Sequence, residues 1–177
     1  SNSIYFYDYY STEYIKNIKF DRKGNNGVAS LRGYYINNFD SIYVFDRITH
    51  SLKQFNSNNQ IVDIVTLKGD EDDPLWYAFY PQYNPETSTP FLKSGKSLIA
   101  TGQYFISLPD TLISKFCFST YIDLKTNGTK LFHRYPKELY GSNYNWEGGL
   151  FTEVFPELHP NQKQIIFSFP VSHNLYI

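Results

Sequence analysis

The sequence is poor in several features, and each shortage excludes a class of protein. Its 177 residues include one cysteine, Cys117, which excludes an intramolecular disulfide. No run approaches the ~20 apolar residues that a membrane-spanning helix needs. The formal net charge is −1 and the isoelectric point is about 6.4, so the chain has no electrostatic footprint for nucleic acid or for an anionic membrane surface.

Motifs for metal binding and nucleophilic catalysis are also missing. The four histidines, His133 among them, form no HxH or HxxxH pair, which argues against a zinc site. No GxSxG nucleophile elbow occurs. The glycine-containing loop at residues 21–30 has neither GxGxxG nor GK[ST], which argues against a phosphate-binding loop. We therefore predict that the protein needs no metal and no cofactor.

The absence of methionine bears on the start of the chain, and a strand pattern bears on its end. Because no methionine occurs, Ser1 is not expected to be a natural start, and Ser1-Asn2 resembles a remnant of tag removal. A signal peptide or a lipid-attachment cysteine would have been removed as well, so contact with a membrane is expected only through a removed lipid anchor. Residues 174–177 stop within a strand pattern, and we expect the native chain to continue.

Aromatic residues are abundant, and they favour strands. The chain has 17 Tyr and 15 Phe, which pack well across a pleated surface. Its most regular stretch, residues 40–67, predicts three short strands at 41–45, 52–55 and 61–67. The turn at Asn56–Asn59 suits asparagine, which tolerates positive φ. Such a meander cannot bury its apolar face alone, so we expect neighbours of the same kind.

Further strands are predicted on both sides of this meander. A hairpin turns around Ser11-Thr12, and Asn127-Gly128 predicts a type I′ turn. Gly102 is predicted to separate two strands, and Thr111–Lys115 has the pattern of a short helical turn. The remaining predicted strands cover residues 31–36, 76–80, 97–101, 104–108, 116–124, 129–135, 150–155 and 164–169.

A repeated pattern indicates the architecture. Asp40–Val44 and His173–Ile177 share the order polar, polar, aliphatic, Tyr, β-branched, at an offset of 133 residues. Blades of β-propellers are four-stranded meanders of about 40–50 residues. The offset therefore fits three plain blades, or two blades with the proline-rich loop as an insertion, and the strand count favours two. We predict an all-β fold of antiparallel four-stranded meander blades, forming part of a β-propeller-like fold.

The stretches YFYDYYSTEYIKNIKF, DSIYVFDRITHSLKQFNSNNQIVDIVTL and IIFSFPVSHNLYI resemble an uncharacterised family of secreted, propeller-type lipoproteins from gut Bacteroidetes. The family is catalogued as a domain of unknown function, and the resemblance rests on strand patterning over most of the chain. It implies a six-bladed-propeller-like fold and an extracytoplasmic location, periplasmic or anchored to the outer membrane. Family members are considerably longer.

The greater length of the family members implies that residues 1–177 form a single β-propeller-like domain at the N-terminal part of a longer propeller. A sheet edge left open in such a piece would invite self-association. The resemblance supplies no catalytic residues to carry over.

The best candidate for binding is the loop at residues 140–149. Tyrosine and tryptophan there offer flat, amphipathic platforms, and asparagine and glutamate offer hydrogen bonds. Loops of this composition suit sugars, although the same residues could instead cap the core. The candidate ligand-binding residues are Asn143, Tyr144, Asn145, Trp146 and Glu147.

Two classes of function remain open. The first is an extracytoplasmic binding or scaffold module whose ligand is a glycan or a protein. The alternative is a glycan-active hydrolase or lyase on a propeller fold, with Glu147 and Glu153 as a candidate carboxylate pair whose separation the sequence leaves open. The missing catalytic motif favours the binding module, although propellers carry active sites that leave no local motif.

Overall fold

The structure is a computed structural model that describes residues 2–69, 80–104, 110–141 and 149–177. The chain divides into two compact units, Ser1–Thr66 and Leu67–Ile177. In the first unit, the strands are β1 (Ser3–Tyr7), β2 (Tyr14–Lys19), β3 (Leu31–Asn38), β4 (Ser41–Asp46), β5 (Ser51–Phe55) and β6 (Ile61–Thr66). Strands β1 and β2 form a hairpin, and β3 to β6 form an antiparallel meander in chain order.

The predicted central meander is confirmed. Its three strands are β4, β5 and β6, and Asn59 in the second turn has a φ of 58°. The hairpin around Ser11-Thr12 is confirmed as well, with Thr12 at a φ of 58°. Because an isolated two-stranded hairpin is marginally stable, it must bury its apolar face. Ile4 and Phe20 do so in one core cluster with β4 and β5, where the Phe20 and Phe55 rings lie 4.7 Å apart.

A buried ion pair closes the glycine-containing loop of the first unit. The carboxylate of Asp46 is fully buried and accepts hydrogen bonds from the backbone N–H groups of Ala29 (2.9 Å) and Ser30 (3.0 Å). Lys53 Nζ lies 2.8 Å from Asp46 Oδ2 and also donates to the carbonyl of Gly27 at 2.7 Å. The loop's N–H groups therefore bind an anion, but that anion is the protein's own carboxylate.

The second unit is built on an antiparallel sheet and a separate hairpin. The sheet has the order β11-β10-β9-β7, with β8 also paired to β9, and β12 pairs with β13. Its strands are β7 (Gln82–Tyr83), β8 (Leu92–Ser94), β9 (Ser97–Gln103), β10 (Cys117–Asp123), β11 (Thr129–Arg134), β12 (Phe155–Leu158) and β13 (Ile165–Ser168). The helical segments are α1 (Asp110–Ile113), α2 (Lys137–Tyr140) and a 3₁₀ turn (Gly149–Thr152).

An aromatic core joins this sheet to the hairpin. The ring of Phe118 in β10 lies 5.0 Å from that of Phe167 in β13 and 5.2 Å from that of Tyr135. Edge-to-face aromatic pairs of this kind contribute about 0.5–1.5 kcal/mol each beyond their burial. The Tyr135 hydroxyl donates to the carbonyl of Thr152 at 2.6 Å, which ties the 3₁₀ turn to the same core.

The predicted fold class is confirmed: the described residues form antiparallel sheets with very little helix. The predicted turn at Thr111–Lys115 corresponds to α1. Among these residues no sheet closes on itself, and the propeller-like arrangement stays a prediction, as does its extent as one domain over residues 1–177. At the last strand pattern, Tyr176 pairs with Phe167 in an isolated bridge. In the part of the chain that the structure describes, no helix combines the length and apolarity needed to cross a membrane.

Gly102 does not separate two strands as predicted; it lies inside β9. There it pairs with Tyr83 of β7. A Cβ on Gly102 would lie 2.7 Å from the Cβ of Pro81, so only glycine lets β7 approach this closely. Two predicted strands lie almost wholly outside the described residues. For the strand at 104–108 these are residues 105–108, and for the strand at 76–80 they are residues 76–79.

The predicted type I′ turn at Asn127-Gly128 is also wrong. Asn127 has a φ of 59°, but Gly128 is not in the positive-φ region that such a turn requires. The cause is Asp123, whose carboxylate accepts the N–H groups of Lys125 (2.8 Å) and Thr126 (3.0 Å). These bonds build a longer loop than the two-residue turn.

The predicted strand at residues 150–155 is wrong for most of its length. The 3₁₀ turn occupies its first part, and β12 begins at Phe155. Tertiary hydrogen bonds explain the difference. The Thr152 hydroxyl accepts from the N–H of Tyr104 at 2.9 Å and is 3.0 Å from the carbonyl of the same residue, to which it donates. This contact with a residue far away in the chain holds Thr152 in the turn.

Candidate functional site

A cleft of about 640 Å³ opens in the second unit. Its interior is apolar, because Ile99, Phe118, Phe167 and Phe169 are each at most 5% exposed. Strands β9, β10 and β13 position three of these side chains, and the aromatic core fixes them in place. Ligand sites in proteins commonly have volumes of about 300–1,000 Å³ and predominantly apolar linings. The cleft therefore has the size and the interior of a binding site.

Rings and polar groups surround this apolar interior. Half-buried walls are formed by Tyr121, Phe132 and Tyr176. The rim is exposed and polar, with His133, Arg134, Glu138, Lys163 and Gln164. Aromatic walls below a hydrogen-bonding rim suit a ligand that has flat apolar faces and polar edges.

His133 changes the geometry of β11 at the cleft. Phe132, His133 and Arg134 are consecutive, yet all of them line the cleft. In a regular strand the middle residue would point to the opposite face of the sheet. His133 has a φ of 53°, a left-handed conformation that is uncommon for residues other than glycine. This local distortion breaks the alternation and allows neighbouring side chains to share one cleft.

Hydrogen bonding assigns the tautomer of His133. The Ser119 hydroxyl donates its single proton to the carbonyl of Phe132 at 2.7 Å. Its oxygen also lies 3.0 Å from His133 Nδ1, so Nδ1 must carry the proton and donate it to Ser119 Oγ. In the neutral imidazole, Nε2 is then unprotonated and can accept a hydrogen bond.

The aromatic surroundings keep this imidazole neutral. The ring of His133 lies 4.0 Å from that of Phe132 and 4.8 Å from that of Phe167. Partial desolvation beside these rings lowers the pKa of His133 below its ordinary value of 6.5, although the side chain stays partly exposed at the rim. At pH 7 the side chain is therefore an uncharged hydrogen-bonding group beside the cationic Arg134.

The binding residues predicted from the sequence lie outside the described residues: Asn143, Tyr144, Asn145, Trp146 and Glu147. The positions on either side of that segment are described. Tyr140 is fully buried, and its hydroxyl donates to the carbonyl of Phe151 at 2.6 Å. The connection that leads into the loop also contributes Pro136 and Glu138 to the cleft.

A second, much smaller cavity contains Glu153, the described member of the predicted carboxylate pair. Its volume is about 10 Å³, and Gln103, whose side-chain oxygen is buried without a hydrogen-bond partner, also lines it. Burial, together with the negative charge of nearby Glu86, raises the pKa of Glu153. A space of this size admits about one water molecule. It has no room for a sugar, so Glu153 is not placed in a substrate-sized cavity.

A family model described as "Domain of unknown function (DUF4221)" matches residues 1–177. The chain belongs to this family. The resemblance to a family catalogued as a domain of unknown function is thereby confirmed, and its propeller, lipoprotein and gut Bacteroidetes details stay proposals. No curated protein matches the chain.

A solved structure supports the fold of this DUF4221 chain. It is the crystal structure of a DUF4221 family member from Bacteroides vulgatus, with 15% sequence identity and a TM-score of 0.71. The match covers 94% of this chain and 45% of that chain, so the present chain spans less than half the length of this solved relative. At this level of identity the likeness concerns the fold alone.

Within the described part of the DUF4221 chain, the side chains that could ligate a metal are scattered, and the single thiol is half-buried. Across residues 2–69, 80–104, 110–141 and 149–177, no three His, Cys, Asp or Glu side chains are grouped as metal ligands would be. Cys117 is a free, half-buried thiol at the start of β10, and its carbonyl accepts a hydrogen bond from Tyr104. These positions agree with a packing role for Cys117.

Sequence reasoning missed the cleft of the DUF4221 chain. In the sequence, His133 stands out only as one of four scattered histidines, because Ser119 and Phe167 lie far from it along the chain. One local signal was present: Phe132, His133 and Arg134 place an aromatic ring, an imidazole and a cation in succession on a predicted hairpin strand. The alternation rule for strands assigns the middle residue to the other face, which hides the cluster.

Proposed function

We propose that this DUF4221 chain is an extracytoplasmic binding module and that its cleft holds a glycan. The observation that carries the proposal is the 640 Å³ cleft with an apolar aromatic interior and a hydrogen-bonding rim. Sugar rings have flat C–H faces that pack on aromatic side chains, and hydroxyl groups that need partners at the edge. The walls at Tyr121 and Phe132, with Gln164 and His133 Nε2 at the rim, meet both needs.

The loop at residues 140–149 stays a second candidate for binding. Its aromatic residues Tyr144 and Trp146 are amphipathic, and Asn143, Asn145 and Glu147 can form hydrogen bonds. These five residues lie outside the described residues, so this part of the proposal rests on composition alone.

The proposed location rests on the resemblance to secreted lipoproteins. We propose that the native protein lies outside the cytoplasm, in the periplasm or anchored to the outer membrane. Fractionation of source cells with an antibody to this chain tests the location. Recovery in the soluble cytoplasmic fraction would contradict it, whatever the outcome of the binding experiments.

Glycan binding is tested by an array screen followed by calorimetry on single variants. Tyr121→Ala removes a half-buried wall ring and should weaken binding about fivefold or more, because a stacked aromatic group contributes about 1–3 kcal/mol and a tenfold change in affinity corresponds to about 1.4 kcal/mol. Tyr10→Ala is the matched control, since Tyr10 is 91% exposed and belongs to the first unit. Trp146→Ala tests the loop separately. Equal affinities for wild type and Tyr121→Ala would remove the cleft from the proposal.

The alternative function, a glycan hydrolase or lyase, has one observation in its favour. A neutral histidine with an unprotonated Nε2 at the mouth of a cleft has the form that a general base requires. Prolonged incubation with any glycan that binds, followed by product analysis, distinguishes the two functions. Products that form with wild type but not with His133→Asn would support the enzyme, and binding without products supports the module.

A further inference from the structure

The charged side chains at the rim of the cleft are two cations and one acid. Its cations are Arg134 and Lys163, and its one acidic side chain is Glu138. Both cations are exposed, and within the described ranges neither one forms an ion pair or a side-chain hydrogen bond. His133, which precedes Arg134 in the chain, is uncharged at neutral pH and does not alter this balance. A cleft of this charge complements an anionic ligand.

The two cations offer different kinds of contact. The guanidinium of Arg134 is a planar fork that matches a carboxylate with two parallel hydrogen bonds. The ammonium of Lys163 is a compact point charge with freely rotating donors. Arg134 ends β11, whereas Lys163 lies in the turn before β13, so the two charges come from different elements that border the cleft. Such a pair can hold acidic groups on a ligand that spans the opening.

The backbone at the rim argues against an extended peptide as the ligand. A peptide that binds by strand addition needs a regular, open sheet edge. Strand β11 is the edge of its sheet, but His133 at a φ of 53° interrupts its regular pairing with β10. Distortions of this kind are a device that blocks strand addition. Recognition is then left to side chains, which favours a ligand with rings and polar substituents.

We propose that the cleft selects acidic glycans, with Arg134 and Lys163 binding the carboxylates of uronic acid residues while the aromatic walls hold the sugar rings. This inference rests on the proposed glycan-binding function and adds the class of ligand. The electrostatic part of the affinity should fall with ionic strength, since charges at an exposed rim are screened. The part of the affinity that comes from packing of sugar rings on the aromatic walls should not depend on ionic strength.

The test uses a panel of acidic oligosaccharides, each paired with the same oligosaccharide after reduction of its carboxylates to alcohols. Oligogalacturonate, oligoalginate and hyaluronan fragments are the probes, and calorimetry at low and high salt is the measurement. At least one acidic member should bind, and its carboxyl-reduced partner should bind at least tenfold more weakly. Arg134→Gln and Lys163→Gln should each weaken binding of the acidic member about tenfold or more, because hydrogen bonds to charged groups are the strong ones.

Controls separate charge from fold and from geometry. Lys130→Gln removes an exposed cation from the same strand, away from the cleft lining, and should leave binding unchanged. Arg134→Lys keeps the charge but loses the fork, so intermediate affinity is expected. Equal binding of acidic and reduced partners, unaffected by Arg134→Gln, would overturn acid selectivity and leave glycan binding intact.

Two further outcomes would also overturn the inference. Binding of no glycan, acidic or neutral, in the panel and the array would overturn the proposed function together with this inference. Tight binding of poly-glutamate with no binding of the oligosaccharides would replace the glycan with an acidic peptide and overturn the inference.

Discussion

The most specific prediction about stability concerns the buried ion pair of Asp46 and Lys53. Asp46→Asn removes a negative charge that is fully buried. The Lys53 ammonium then has no counter-charge and keeps the carbonyl of Gly27 as a hydrogen-bond acceptor. Breaking a buried ion pair from one side costs about 3–5 kcal/mol, because an uncompensated charge stays in the interior. The asparagine amide can still accept from Ala29 or Ser30, so we expect the loss to lie near the lower end of that range.

The reverse substitution tests whether the pair acts as a unit. Lys53→Met should cost a similar amount, since it leaves the Asp46 carboxylate buried without its cation. Combining Asp46→Asn with Lys53→Met removes both charges, so its cost should be smaller than the sum of the two single changes by at least about 1 kcal/mol. Additive costs would refute the coupling.

The pH dependence follows from the environment of Asp46. Burial alone would raise the pKa of Asp46, but hydrogen bonds from Lys53, Ala29 and Ser30 and the charge of Lys53 lower it overall below 3.8. The pKa of an unfolded aspartate is about 3.9. The contribution of the carboxylate to stability is therefore complete above that value and is lost as the pH falls through the lower pKa of the folded state.

The assay must report the first unit by itself, because the chain contains two compact units. Hydrogen exchange of the β4 and β5 amides gives the free energy of opening there, and urea unfolding gives the cooperative value. Asp21→Asn is the matched control, since it changes an exposed carboxylate in the same unit. The difference between wild type and Asp46→Asn should shrink on acidification. A difference below about 1 kcal/mol at pH 7 would refute the reasoning.

The remaining predictions concern one glycine, one strained histidine, metal dependence and association. Gly102→Ala should lower stability by about 1–3 kcal/mol, because its Cβ would lie 2.7 Å from that of Pro81. Thermal unfolding measures the loss of stability. Gly128→Ala is the control, because its Cβ would lie 3.2 Å from the nearest atom, Thr126 Oγ1. His133→Val should melt below His133→Asn, because asparagine tolerates the positive φ that a β-branched residue resists; equal melting temperatures would contradict the assigned strain. Chelation with EDTA should leave the melting temperature unchanged, and stoichiometric zinc or calcium with a loss of stability on chelation would prove that expectation wrong. An open sheet edge predicts association of this 177-residue chain, which light scattering over a dilution series measures; a monomer at every concentration would count against it.

The strands of the first unit could be predicted because local and tertiary preferences agree there. In β4, Ile42 and Val44 are fully buried, as their apolar character predicts, and the turn at Asn59 uses the conformation that asparagine tolerates. Burial of β-branched and aromatic side chains is what strand preference measures. Where the apolar pattern, the turn residues and burial all favour the same structure, the sequence alone is sufficient to predict the strands.

The failures occur where a distant residue outweighs a local preference. The side chain of Thr152 is held by the backbone of Tyr104, so a segment with a strand pattern becomes a 3₁₀ turn. From the sequence, Gly102 is predicted to separate two strands, but the close approach of Pro81 requires a glycine at this position within β9. No window of neighbouring residues contains either partner, and propensity is readily overridden by such contacts.

The cleft could not be predicted for a related reason, and that reason bears on its function. Strand alternation assigns His133 to the opposite face from Phe132 and Arg134, and a left-handed backbone at His133 cancels that assignment. Holding a histidine in this conformation costs on the order of 1 kcal/mol or more, which nothing in the local sequence offsets. Natural sequences tend to break local rules at functional sites and compensate elsewhere. Here the compensation is the surrounding aromatic core, with Phe118 and Phe167 packed around the imidazole. The residue that hides the cleft from sequence reasoning is therefore also the one that brings Phe132 and Arg134 to it together.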